Sequence, residues 1–129
     1  MVAAATVRSV EGDKLALDPA EIARYLQTNL GQKMTAYVAG LKDPKIVGRW
    51  IARKSAPGST ETDMRLRCAY QVTRLIVEAY GPETARAWMF GSNSRLDDEA
   101  PAYLIRHAGS PDDLRHIVPV ARAFAGAAF

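Results

Sequence analysis

Apolar residues along this chain recur at the three- and four-residue spacing of helix faces, and runs of β-branched residues are nearly absent. Five of the seven prolines stand where such a pattern begins, a position at which the missing proline N–H costs nothing. These are Pro19, Pro44, Pro82, Pro101 and Pro111. Twenty-two alanines add helix propensity. The pattern predicts an all-α protein, with residues 1–17 as an N-terminal arm.

Two of the predicted helices have clear start signals and one apolar face each. The first begins at Asp18-Pro19 and its core face consists of Ile22, Leu26 and Leu30. The second begins at Ser110-Pro111 and its core face consists of Leu114, Ile117, Val118 and Ala121. Because Pro119 interrupts this second helix, we expect a kink or a break into two segments between residues 110 and 119.

The longest predicted helix covers residues 61–80 and is apolar on two sides. One stripe consists of Met64, Cys68, Val72, Leu75, Ile76 and Ala79. The opposite stripe consists of Leu66, Tyr70, Thr73 and Val77. A helix with two apolar faces needs two neighbours. We therefore interpret it as a connecting helix between an N-terminal unit (18–60) and a C-terminal unit (81–129), or also as a homodimer face.

Residues 32–54 have the local pattern of a helix-turn-helix. Gln32–Ala39 is predicted as a short helix, and Gly40 permits the positive φ of a tight turn. Asp43-Pro44 then starts a second helix, whose inward residues are Ile46, Val47, Trp50 and Ile51. The alternative interpretation is a simple corner between two helices.

Positive charge is concentrated at the same place. The formal net charge is +3, and residues 1–58 contain nine Lys and Arg against five Asp and Glu, whereas residues 59–129 contain eight against nine. The candidate DNA-binding residues are Lys42, Lys45, Arg49, Arg53 and Lys54. Cations on one helix suit phosphates and base edges in a major groove. The alternative is a solvated helix face.

Few side chains point to catalysis or to a metal. Cys68 is the single cysteine, and we interpret it either as a nucleophile or as a buried core residue. His107 and His116 lack neighbouring ligands for a structural metal. Without a Ser-His-Asp set, a Cys-His set or a glycine-rich phosphate loop, the sequence predicts a protein that is not an enzyme and uses no metal or cofactor.

The expected cellular location follows from the absence of two sequence features. The chain has no visible secretory signal and no apolar run of about 20 residues, the length of a membrane span. We therefore expect a cytoplasmic protein that does not interact with a membrane.

The C-terminal part carries a spaced motif, W-x4-N-x2-L-x4-P-x2-L with a glycine shortly after. Its members are Trp88, Asn93, Leu96, Pro101 and Leu104, followed by Gly109. With the upstream helix pair, this motif resembles the Xre/MbcA/ParS-type antitoxins over residues 18–126. The chain departs from that family at residues 97–100, where many relatives have a glycine, and at Pro119, where the last helix is often continuous.

The resemblance implies an antitoxin of a type II toxin–antitoxin system, which binds and neutralises a RES-domain toxin that consumes NAD or transfers ADP-ribose from it. The helix-turn-helix would mediate dimerisation, autoregulatory operator binding, or both. The candidate toxin-binding residues are Trp88, Asn93, Leu96, Pro101, Arg122, Phe124 and Phe129. The alternative function is a stand-alone helix-turn-helix transcriptional regulator.

The last seven residues, 123–129, carry no charged side chain. We interpret them as a plug, in which small residues enter the NAD cleft of the toxin, an aromatic ring fills a pocket and Arg122 pairs with acids. A chain that ends at Arg122 is then expected to stay folded but to lose inhibition. The alternative is that Phe124 and Phe129 fold back on the core.

Overall fold

The structure, a computed structural model, describes residue 10 and residues 17–55 and 58–126. The α-helices in the two longer ranges are α1 (Pro19–Leu30), α2 (Gln32–Ala39), α3 (Lys45–Arg53), α4 (Thr60–Tyr80), α5 (Pro82–Phe90), α6 (Pro101–His107) and α7 (Ile117–Phe124). Short 3₁₀ helices cover Ser94–Leu96 and Pro111–Leu114. These ranges contain no β-strand, which confirms the all-α prediction.

Local start signals place most of the helices where the sequence predicts them. The Asp18 side chain accepts a hydrogen bond from the Glu21 N–H (3.0 Å), and Pro19 begins α1. Helix α4 begins at Thr60, one residue earlier than predicted. Pro44 differs from the other four prolines because it precedes its helix by one residue.

The expected break near Pro119 is confirmed. The segment that begins at Ser110 forms only a 3₁₀ helix, and the chain starts again as α7 at Ile117. This restart places Pro119 in the first turn of α7, where its missing N–H has no helical partner to lose. The predicted core positions Leu114 and Ile117 are both buried.

Helix α4 lies at the centre of the core and packs against α1, α2, α5, α6 and α7. Leu66, Val72, Leu75 and Ile76 are fully buried, so both predicted stripes are covered within one chain. This confirms that the helix has two sets of neighbours. The buried stretch of α4 is therefore not available as a homodimer face.

The contact between α1 and α4 includes two tyrosines. The rings of Tyr25 and Tyr70 meet edge to face, with centroids 5.1 Å apart. Burial raises the pKa of Tyr25 to about 12, and the nearby Arg74 guanidinium opposes this increase. The Tyr25 phenol is therefore held in its neutral form over a wide pH range.

Arginines connect distant helices by donating to backbone carbonyls. Arg86 Nη1 of α5 donates to the Asn29 carbonyl near the end of α1 (2.8 Å). Arg65 of α4 donates through Nε and Nη2 to the Ala108 carbonyl after α6 (3.0 and 2.8 Å). The main cluster of buried apolar residues includes members of all seven α-helices, so the described chain shares one core.

Candidate DNA-binding and partner-binding surfaces

Helices α2 and α3 form a helix pair joined by residues 40–44. Gly40 ends α2 in the left-handed conformation (φ 84°), and its N–H donates to the carbonyls of the last turn of α2. The Asp43 side chain caps the start of α3 by accepting from the Lys45 N–H (3.0 Å). Gln32 Nε2 donates to the Pro44 carbonyl (2.9 Å), which fixes the start of α2 beside the start of α3.

Helix α3 has one buried side and one exposed side. Val47 and Trp50 are buried, and Ile46 and Ile51 are half-buried against the core, as predicted. The exposed cations, which we call the basic face, are Lys42, Lys45, Arg49, Arg53 and Lys54. In the part of the chain that the structure describes, none of these side chains forms a hydrogen bond or an ion pair.

The helix pair carries a further exposed cation outside the basic face. Lys33 is exposed in the first turn of α2, next to Gln32, whose hydrogen bond to Pro44 brings the starts of the two helices together. Lys33 lies outside residues 42–54, so a count of charge along the chain does not find it. The position of Gln32 at the start of α2 is the signal that would have done so.

The basic face has the chemistry of a surface for a polyanion. Lysine and arginine side chains at the start and along the outer side of a helix neutralise phosphates and release their counterions. The one acid in the stretch, Asp43, is occupied as the cap of α3. Asp43 keeps its negative charge as a cap, so residues 42–54 carry five positive charges against one negative charge and the face is net positive.

The C-terminal motif residues divide into buried and accessible ones. Leu96 is 7% exposed and Pro101 is buried at the first position of α6, so both support the unit from inside. Trp88 is half-buried on α5. Direct contact with a partner is thus available to Trp88 and not to Leu96 or Pro101.

Asn93 organises the loop between α5 and α6. Its side chain accepts from the Arg95 N–H (3.0 Å), and its carbonyl accepts from the Leu96 and Asp98 N–H groups (both 2.9 Å). Asp97 and Asp98 have φ of 56° and 64°, the left-handed region in which glycine is favoured. Residues 97 and 98 are therefore positions at which glycine would be accommodated without strain.

A cavity of about 190 Å³ lies between α5, the Asn93 loop and α7. Its lining consists of Trp88, Asn93, Ser94, Arg95, Val120, Ala123 and Phe124. The structure therefore brings together three of the candidate toxin-binding residues, Trp88, Asn93 and Phe124. Arg122 lies on α7, half-buried, and does not belong to this lining.

The cavity adjoins an exposed group of aromatic rings, Tyr80, Trp88 and Phe124, which we call the aromatic patch. The Phe124 ring lies 5.4 Å from that of Tyr80 and 6.0 Å from that of Trp88, measured between centroids. Tyr80 is 50% and Phe124 is 43% exposed. Such a rigid aromatic group at the surface is typical of an interaction site. Tyr80 is not among the residues predicted from the sequence, because its position at the end of the connecting helix gives no signal of a partner-binding role.

Phe124 does not lie in a tail. It is the last residue of α7, its carbonyl accepts a hydrogen bond from the Tyr80 hydroxyl (3.2 Å), and the next residue, Ala125, is buried with Val10 and Leu75. A chain that ends at Arg122 lacks these packed residues, so we expect it to be less stable than the full chain. Phe129 lies outside the described residues.

A larger cavity, of about 310 Å³, lies between α4 and the 3₁₀ helix Pro111–Leu114. Met64, Cys68 and Gln71 line it from α4, and Leu114 and Val118 line it from the other side. Cys68 is 7% exposed and belongs to the main core cluster, which confirms the core interpretation of this residue.

Comparisons of the chain with protein-family models, with curated proteins and with solved structures gave no match. None of the helices in residues 17–55 and 58–126 is both long enough and apolar enough to cross a membrane.

Proposed function

We propose that this protein is an antitoxin of the Xre/MbcA/ParS type, which acts in the cytoplasm and neutralises a RES-domain toxin by covering its NAD site. The helix pair serves as a helix-turn-helix that binds the operator of its own operon. The protein needs no cofactor and catalyses no reaction.

The observation that carries this proposal is that two motif members, Trp88 and Asn93, meet Phe124 at one surface. Trp88 from α5, Asn93 from the loop and Phe124 from α7 line the same cavity, beside the aromatic patch. The buried motif members hold the loop from inside, Leu96 at its middle and Pro101 where α6 begins. Beside this cavity the rings of Tyr80 and Phe124, which are not motif members, are 50% and 43% exposed, as expected of residues that contact a partner.

Co-expression with the RES-domain protein expected from the neighbouring reading frame tests the proposal. We expect the two proteins to co-purify and the antitoxin to stop NAD consumption. Phe124→Ala is expected to weaken inhibition by about tenfold or more, because truncation of a central aromatic residue typically costs at least about 2 kcal/mol. Tyr103→Ala is the matched control, since Tyr103 is also 43% exposed but lies outside the patch. Equal loss in both variants contradicts the assignment of the patch.

The plug is tested with a chain that ends at Gly126, which keeps Phe124 and the buried Ala125. If residues 127–129 enter the NAD cleft, this chain stays folded and inhibits weakly. Inhibition at wild-type potency assigns neutralisation to the aromatic patch and excludes the plug.

The second candidate function is a stand-alone transcriptional regulator, and the unpaired basic face favours it. Operator binding without a toxin partner in co-purification identifies this alternative. Absence of DNA binding at low salt, alone and with the toxin, excludes it and leaves the helix pair as a structural module.

Operator binding by a helix-turn-helix usually uses two half-sites, so we propose that the protein is a homodimer. Because the central stretch of α4 is buried within one chain, the dimer face must lie elsewhere. Light scattering is expected to report twice the chain mass of 14.1 kDa at micromolar concentration, and a 14.1 kDa species contradicts the dimer.

A further inference from the structure

The turn that precedes α3 is held by a side chain from α6, far away in sequence. Arg106 Nη1 donates to the carbonyls of Tyr37 (2.8 Å) and Leu41 (3.3 Å). Its guanidinium also lies over the Tyr37 ring, 4.7 Å from the centroid. One side chain of the C-terminal part thus contacts both the last turn of α2 and the start of the connection to α3.

This contact adds a second donor at the end of α2, where the Tyr37 carbonyl already accepts a hydrogen bond from the Gly40 N–H (3.0 Å). The last carbonyls of a helix have no partner within it, and a cation at that end is also favoured by the helix dipole. The other side of the turn is equally close-packed, since a β-carbon at Gly40 would lie 2.5 Å from Arg65 Nη1. Two arginines from the rest of the chain therefore enclose the turn.

The turn determines where the basic face begins. Leu41, whose carbonyl Arg106 binds, directly precedes Lys42, and Asp43 then caps α3. Within the described chain the side chains of the basic face form no hydrogen bond or ion pair that would fix their positions. Their arrangement depends on the backbone of α3 and hence on the turn.

We propose that Arg106 is a positioning residue for DNA binding: it sets the turn between α2 and α3, and so the presentation of the basic face, without contacting DNA. This inference rests on the proposed DNA binding by that face. It also ties the operator-binding part of the chain to α6, the helix that follows the Asn93 loop.

The test compares Arg106→Gln with Arg86→Gln in binding to a DNA duplex taken from immediately upstream of the protein's own reading frame. Each substitution removes one charge and the hydrogen bonds of one arginine to backbone carbonyls, two for Arg106 and one for Arg86, but Arg86 holds the end of α1 and not the turn. We expect Arg106→Gln to weaken binding by roughly tenfold, since a hydrogen bond from a charged group is lost. Arg86→Gln is expected to bind as the wild type does.

The salt dependence separates positioning from contact. Loss of a phosphate contact lowers the slope of log K against log salt by about one, as expected for Lys45→Ala. Arg106→Gln is expected to keep the wild-type slope. A slope lowered by about one in Arg106→Gln, or equal weakening of DNA binding in Arg86→Gln, overturns the proposal.

A second variant keeps the test available if Arg106→Gln does not fold. Tyr37→Leu then takes its place with the same expectations, because it removes the ring beneath the guanidinium and leaves every charge in place.

Amide hydrogen exchange keeps this test separate from that of the proposed function. The Gly40 and Leu41 N–H groups are hydrogen-bonded to α2 carbonyls, and both are expected to exchange faster in Arg106→Gln but not in Arg86→Gln. If the wild type binds no DNA, the proposed operator binding and the role of Arg106 in it are both wrong, while the exchange data still decide whether Arg106 holds the turn. Unchanged exchange in Arg106→Gln contradicts the inference directly.

Discussion

The basic face on α3 and the arginines of α4–α6 carry the same charge in different surroundings. Arg65, Arg86 and Arg106 each donate to a backbone carbonyl of another part of the chain, at 2.8–3.0 Å. Lys45 and Arg49 are exposed and have no partner in the described residues. The first group links helices, whereas the second group contributes nothing visible to the fold.

This difference teaches how to separate structural cations from functional ones. A cation that bonds to carbonyls at helix ends stabilises the protein, and its loss leaves those carbonyls unsatisfied. Several unpaired cations on one helix repel one another, which slightly destabilises the folded chain. The charges of the basic face do not stabilise the fold, so this is the surface to test for binding of a polyanion such as DNA.

Replacement of Trp50 by alanine is expected to have the largest effect. The indole is 7% exposed and is the main anchor of α3, so its loss should lower the free energy of unfolding by about 3–5 kcal/mol. Urea denaturation followed by circular dichroism measures this change. If Trp50→Ala costs under about 1 kcal/mol, α3 is not held by its buried side and the basic face has no rigid support.

A paired substitution tests the comparison itself. Arg65→Ala removes two hydrogen bonds to the Ala108 carbonyl and is expected to cost about 1.5–3 kcal/mol. Arg49→Ala is expected to change stability by less than about 0.5 kcal/mol, while it weakens DNA binding. Thermal unfolding and fluorescence anisotropy give the two quantities. Equal losses of stability in the two variants would show that both groups of cations contribute to the fold alike.

What the sequence could predict of the fold was local. The starts of α1 and α4 depend on a capping side chain within three residues, and the left-handed Gly40 depends on its own lack of a side chain. The exposure of Lys45, Arg49 and Arg53 follows from their spacing of four against the buried Val47 and Trp50. Each of these features is determined within one or two helical turns.

What the sequence could not predict depends on residues far apart in the chain. Tyr80 and Phe124 are 44 residues apart, so a linear reading placed Phe124 in a tail instead of in a packed helix end. Arg106 and Tyr37 are 69 residues apart, and no periodicity links them. The sequence therefore indicates which kinds of residue belong to the candidate site. Which residues border it, such as Tyr80, follows only from the tertiary contacts.

The titration of Tyr25 tests the α1–α4 packing on which both regions rest. The Tyr25 phenol is protonated in both the folded and unfolded states below about pH 10, and above this pH the unfolded chain loses the proton first because the folded pKa is raised to about 12. The contribution of Tyr25 to the free energy of unfolding is therefore fully present below pH 10. It decreases as the pH rises towards 12, by about 1–2 kcal/mol. Denaturation at pH 8 and pH 11 should show a smaller loss in Tyr25→Phe than in the wild type. An identical loss in the two proteins would mean that Tyr25 titrates like an exposed phenol.

The smallest expected effect concerns Lys54, the one member of the basic face with a backbone cost. It ends α3 in the left-handed conformation (φ 50°), where a side chain is unfavourable and glycine is preferred. Lys54→Gly should therefore raise the free energy of unfolding by about 0.5–1 kcal/mol, the left-handed penalty less the entropy that glycine loses on folding. If Lys54 contacts a phosphate, the same substitution should weaken DNA binding and lower the salt slope by about one.

Lys54→Ala is the matched control, because it removes the charge and keeps the unfavourable conformation. It should lower the salt slope as Lys54→Gly does without raising stability. A more stable Lys54→Gly protein with unchanged DNA affinity would exclude Lys54 from the interface. A more stable protein that binds DNA less well would show that the charge at this position serves an external partner at the expense of the fold.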